Sequence, residues 1–125
     1  MREIDVQHIA LFAEEELGKL AFSYPADIAQ SLKNAYLKER DASGKDILGV
    51  LLENETISKQ RNIPLCQDTG MVVFFMKLGQ EVHLVNGDIK QALDLAVKRA
   101  YTNKYLRKSV VMDPLFDRKN TLDNT

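Results

Sequence analysis

Apolar residues recur every three or four positions through the first half of this 125-residue chain, and near residue 64 that period breaks. A chain whose hydrophobic period switches in this way has to mix helices with strands. Val6, Ile9, Ala10, Ala13, Leu17, Leu20 and Ala21 share one face of a predicted helix from Asp5 to about Ala21, with Asp5 as its N-cap. Ser23-Tyr24-Pro25 breaks it, and Pro25 suits the first position of a second helix that runs to about Arg40 with Ile28, Leu32, Ala35 and Tyr36 inward. Asp41-Ala42-Ser43-Gly44 reads as a turn, followed by a third helix from Lys45 to about Lys59 carrying Ile47, Leu48, Leu51 and Leu52.

The segment Met71–Leu78 is nearly continuously apolar, with β-branched and aromatic residues, and reads as a buried strand. Gly79-Gln80 then predicts a two-residue turn into an alternating partner strand, Glu81–Val85, which makes an antiparallel unit. Asp88 is the N-cap of the chain's cleanest helical stripe, Ile89, Ala92, Leu93, Ala96, Val97 and Ala100, which ends between Tyr101 and Tyr105. The expected fold is α+β: three helices, a short antiparallel β unit and a further helix, with the helices packed on a small sheet. A lone hairpin is only marginally stable, so further strand pairing is expected, with Ile63–Leu65 or with another chain. Residues 1–105 form the expected domain. Residues 106–125 lose periodicity and read as an irregular tail or as the start of a remainder.

Charge and cysteine content narrow the function classes. Seventeen basic against eighteen acidic residues leave a net charge of −1, so no bulk charge drives binding to nucleic acid or membranes. The longest apolar run, Met71–Met76, is far shorter than the ~20 residues of a membrane helix. Acidic residues interrupt the N-terminal apolar stretch, which excludes a secretory signal there. One cysteine excludes an internal disulfide, and together these features predict the cytoplasm. Lys98, Arg99, Lys104, Arg107 and Lys108 interleave with Tyr101 and Tyr105, a pattern better read as a solvated helix end than as a nucleic-acid stripe. His8 and His83 have no partners at metal-ligand spacing. Tyr24, Tyr36, Phe74 and Phe75 are expected as core or core-edge anchors.

The chemistry concentrates in Pro64-Leu65-Cys66-Gln67-Asp68-Thr69-Gly70, where a thiol, an amide, a carboxylate and a hydroxyl occupy consecutive positions beside the most apolar segment. A thiolate is a soft ligand for iron or zinc, and a neighbouring carboxylate can move a proton. Gly70 permits close backbone approach. Spacing alone favours a plainer reading, with Cys66 a small buried residue and Asp68-Thr69-Gly70 a turn.

That word, followed by Tyr105-Leu106-Arg107-Lys108-Ser109, Asp113-Pro114-Leu115 and the closing Asn120-Thr121-Leu122-Asp123-Asn124-Thr125, resembles the N-terminal part of the iron–sulfur hydro-lyases. These are class I fumarate hydratase and the alpha subunit of L(+)-tartrate dehydratase, and the resemblance covers nearly the whole chain. It implies a four-iron–four-sulfur cluster held by three thiolates, with one iron left open as a Lewis acid, and reversible hydration of a dicarboxylate such as fumarate/malate or tartrate. By the motif match, Cys66 is the metal and cofactor ligand. Gln67 and Asp68 face the substrate, Asp68 is the catalytic proton carrier, and Arg107 clamps a substrate carboxylate. The resemblance departs in two places. Two cysteines that the family uses are absent from this chain, and Leu122 stands where the family word has Gly. The expectation is therefore a truncated segment, inactive alone, that works with the rest of the enzyme or a beta subunit, plausibly as a homodimer. The alternative is a non-catalytic α+β interaction or remnant domain in which Cys66 is structural.

Overall fold

A computed structural model describes all residues, Met1–Thr125. The order is β1 (Arg2–Asp5), α1 (Val6–Phe22), α2 (Ala26–Lys38), α3 (Ala42–Arg61), β2 (Val82–Val85) and α4 (Ile89–Asn103). The fold is α+β, as the period change predicts. No helix is long and apolar enough to cross a membrane.

The helix starts follow from short acidic caps. Asp5 accepts from the Gln7 N–H at 2.7 Å and Asp88 from Gln91 at 2.9 Å. Asp41 accepts from Gly44 at 2.8 Å, which draws Ala42-Ser43-Gly44 into the first turn of α3 where a separate turn is the expectation. Pro25 sits just outside α2 and not in its first turn.

The core is a helix–helix seam. Val6, Ala10 and Ala13 of α1 pack with Ala92 and Ala96 of α4, and further along Leu17 and Phe22 pack with Val97, Ala100, Tyr101 and Leu106. The two helices therefore run in the same direction, and the alanines let their backbones approach closely. The α2–α3 pair is tied on more loosely. Buried Ser58 donates its hydroxyl to the Phe22 carbonyl at 2.9 Å, and the Asn54 amide donates to the Leu65 carbonyl at 2.7 Å. Ile28, Ala35 and Ile47, expected inward, are exposed, because α2 and α3 mainly cover each other.

The expected antiparallel hairpin does not form. β2 pairs in parallel with β1, in the register Arg2↔Val82 to Asp5↔Val85. The Arg2 N–H donates to the Glu81 carbonyl at 2.7 Å, and the Asn86 amide donates to the Asp5 carboxylate at 2.7 Å, which closes both ends of the pair. Four residues at the N-terminus, too short to show a period, thus take the edge of β2. Met71–Leu78 lies outside any strand ladder and is largely exposed. Phe75, expected as a core anchor, is 95% exposed. A continuous apolar run needs cover on both faces, and this one is covered on one side alone, where Val72 packs against the α1–α4 core. Ile63–Leu65 adds no strand either; the Leu65 N–H instead donates to the Ala21 carbonyl at 3.0 Å.

The last twenty residues fold back. An antiparallel bridge joins Val111 and Asn120, supported by Met112 N–H to the Lys119 carbonyl at 2.8 Å and Thr121 N–H to the Val110 carbonyl at 3.0 Å.

Ala100 has no exposed surface in the α1–α4 seam. Ala100→Leu overpacks that seam and should lower stability by about 1–3 kcal/mol. Urea denaturation checks this through a lower midpoint at an unchanged slope.

Candidate functional site

The loop Pro64–Gly70 lies where the α1–α4 seam ends. Tyr101, on the buried stripe of α4, is 2% exposed, and its hydroxyl reaches the Thr69 and Gly70 carbonyls at 3.0 and 3.1 Å. Thr69 donates its own hydroxyl to the Arg107 carbonyl at 3.1 Å. Asn124 comes from the far end of the chain and is 3% exposed. Its amide oxygen accepts the Ser109 and Val110 N–H groups at 2.8 and 3.1 Å, and its amide nitrogen faces the Gly70 carbonyl at 3.4 Å. Three distant segments thus converge on one loop.

α4 itself stops in a way that shapes this site. The Leu106 N–H returns to the Tyr101 carbonyl at 3.1 Å, while Tyr105 takes φ 55 and Leu106 buries beside Tyr101. This is a Schellman stop with Tyr where Gly is usual. It turns the chain so that Arg107 comes back beside the loop.

Within the loop the Cys66 thiol is exposed and donates to the Asp68 carbonyl at 3.2 Å. The Asp68 carboxylate accepts the Gly70 N–H at 3.2 Å. Gly70 adopts φ 68, and no atom lies within 4 Å of where a Cβ would stand. Its glycine suits the left-handed backbone, and the close approach expected from sequence is not present.

Cys66, Gln67 and Arg107 line one open concavity of about 490 Å³, together with Pro64, Thr69 and Tyr105. Asp68 is set apart from them. It lines a neighbouring hollow of about 280 Å³ with Tyr24 and Asn54, which shares only Cys66 and Thr69 with the first. The four residues predicted from sequence are therefore neighbours, but three open one way and the fourth another. Burial, more than any charge, raises the Tyr101 phenol above its ordinary pKa, and the nearby Asp68 carboxylate adds to the rise against the Thr69 hydrogen bond.

The family described as fumarate hydratase (Fumerase) matches residues 12–125. The chain belongs to the fumarate hydratase family. Among curated relatives, the L(+)-tartrate dehydratase subunit alpha of Escherichia coli K12 is 35% identical over 101 residues, covering 81% of this chain and 32% of the relative. A Methanocaldococcus jannaschii protein with the provisional name L(+)-tartrate dehydratase subunit alpha is 34% identical over 102 residues, covering 78% of this chain and 34% of its own. The chain thus spans about a third of the length of the curated relatives it matches.

Family membership raises the question of an iron–sulfur cluster. No three His, Cys, Asp or Glu side chains stand close enough together to hold a metal ion. The donor set fits one corner of a cluster: a single exposed thiol on the wall of an open hollow.

The residues that hold this fumarate hydratase-family loop in place were harder to foresee. Tyr101 reads from sequence only as the end of a helical stripe, and Asn124 only as one letter of the terminal word. A polar group ending an apolar stripe just before a chemistry-bearing loop's neighbour is the signal that marks Tyr101. Asn124 offers no local signal, because its partners lie 14 and 54 positions away.

Two outcomes follow. Removing the hydroxyl in Tyr101→Phe should lower stability by about 1 kcal/mol. Because the folded-state pKa is raised above the ordinary tyrosine value of 10.0, the tyrosine's contribution is full below that value. It is lost as pH rises through the folded pKa. Wild-type chemical denaturation should therefore weaken above pH ~10 more than that of the Phe variant. Leu122 holds φ 65 with its side chain 74% exposed, so the left-handed strain has no packing to offset it. Relief of ~1–2 kcal/mol of strain, less ~0.4–1 kcal/mol for glycine's looser unfolded chain, predicts that Leu122→Gly raises stability by about 0.5–1 kcal/mol in the same assay.

Proposed function

We propose that this chain is the N-terminal segment of an iron–sulfur hydro-lyase that adds water to, or removes it from, a dicarboxylate of the fumarate/malate or tartrate class. The observation that carries this reading is the placement of a thiol, a carboxamide and a guanidinium, Cys66, Gln67 and Arg107, around one open hollow. The relatives named as tartrate dehydratase alpha subunits and the fumarate hydratase family support it.

In this reading Cys66 supplies one cluster thiolate, and the other ligands come from polypeptide outside these 125 residues, either a continuation or a beta subunit. When bound, the cluster's open iron polarises the substrate's hydroxyl and carboxylate. The rest of the work belongs to this chain's own side chains. The planar Arg107 guanidinium grips a substrate carboxylate with two parallel hydrogen bonds. The Gln67 carboxamide can donate and accept beside it, which orients a ligand carrying both carboxylate and hydroxyl. Asp68 is the proton-handling group. It lines the adjoining hollow, whose wall is shared with the first at Cys66 and Thr69. A free, exposed thiol suits the reducing cytoplasm.

The competing reading, a non-catalytic module with Cys66 as a packing residue, lacks this support, since Cys66 lies in neither apolar cluster.

The test uses the chain co-expressed anaerobically with its completing polypeptide. Cys66→Ser should lose bound iron and sulfide, while Arg107→Lys should keep both and weaken dicarboxylate binding about 10- to 100-fold. Full iron retention by Cys66→Ser removes the ligand assignment, and unchanged affinity in Arg107→Lys removes the clamp.

A further inference from the structure

The accessible surface is 9445 Å², and only 16 of 125 residues are buried. A self-contained monomer of 14.2 kDa exposes roughly 6,800 Å². The excess, about 2,700 Å², is several times the ~800 Å² that each partner buries in a standard interface.

A contiguous part of the exposed apolar surface lies in Met71–Leu78. Met71, Val73 and Phe75 of this segment are 73%, 64% and 95% exposed. On one side the segment borders a groove of about 330 Å³ lined by Ile9 and Phe12 of α1 and by Phe74. The segment makes no ladder hydrogen bonds, so its main chain also offers unpaired donors and acceptors. It is not a loose tether. Tyr101 and Asn124 hold its Gly70 end, and a Val82 N–H to Gly79 carbonyl bond of 3.1 Å closes the other end into β2. An anchored apolar segment whose main-chain groups are unpaired is a template for strand addition.

We propose that Met71–Leu78 is the docking strand for an apolar β-strand from the part of the family's polypeptide that lies beyond the matched third. The relatives are about three times as long as their matched part, so they carry enough chain to cover the excess. A second copy pairing only through this strand does not. Eight residues span about 26 Å, and one such edge buries a small part of ~2,700 Å². The docked strand pairs along Met71–Leu78 from Gly70 onward and so places incoming chain next to the Cys66 hollow. This does not depend on the hydro-lyase reading.

The test is co-expression of this chain with the portion of the Escherichia coli K12 tartrate dehydratase alpha subunit that follows its matched region, without iron. A one-to-one complex should elute on size exclusion, with amides of Val72–Leu78 protected from hydrogen exchange in the complex and unprotected in the chain alone. Val73→Glu, at an exposed position, should leave the chain's own unfolding midpoint unchanged and weaken the complex at least tenfold. Absence of a complex, a complex with these amides still exchanging, or unchanged binding by Val73→Glu each overturns the proposal. So does self-association that protects the same amides, which assigns the strand to a second copy. Because no step reads iron or turnover, failure here leaves the hydro-lyase reading standing, and the reverse holds too.

Discussion

The hydroxyl of Tyr101 joins the core of this molecule to its chemistry. Its ring belongs to the apolar stripe of α4 and is sealed by Leu17, Phe22 and Leu106. Its oxygen is spent on the carbonyls of Thr69 and Gly70. A loop carrying a thiol, an amide and a carboxylate has little apolar surface with which to order itself. It is ordered here because a buried helix reaches out to it, and because a buried asparagine from the chain's end reaches the same carbonyl. The αL turn at Tyr105 then returns the backbone, so that Arg107 shares a wall with Cys66.

The helices were legible because their apolar residues recur every three or four positions and three of the four begin at an aspartate whose side chain closes the first turn. The β part was not. Met71–Leu78 has a strand's composition, but composition reports what a segment needs and not whether the need is met. The strand that does pair with β2 is Arg2–Asp5, four residues long, whose partner lies about eighty positions away. No window of sequence shows such a pairing. The same holds for the site. Its residue types were visible in one contiguous word, whereas the turning away of Asp68 and the grip of Asn124 are consequences of packing between remote segments.

Both of the chain's unusual properties have one physical source. It presents a lone soft ligand in an open hollow, and it presents a long apolar segment covered on one side only. Each is half of an interaction. In the proposed function the hollow supplies one thiol and one guanidinium of the several donors that a cluster and its substrate would need. The strand supplies one face and one edge where a buried strand needs two of each. Both halves meet at Gly70, where the left-handed turn joins the site loop to the strand. Whatever completes the strand therefore arrives within reach of the thiol.

The central claim is that a pinned loop holds the Cys66 sulfur out at the wall of an open hollow. The rate at which iodoacetamide alkylates the folded chain, compared with the chain in concentrated urea at the same pH, tests it most directly. An outward thiol should react within about tenfold of the unfolded rate. A folded rate slowed about a thousandfold or more would place the sulfur inside the protein and contradict the account.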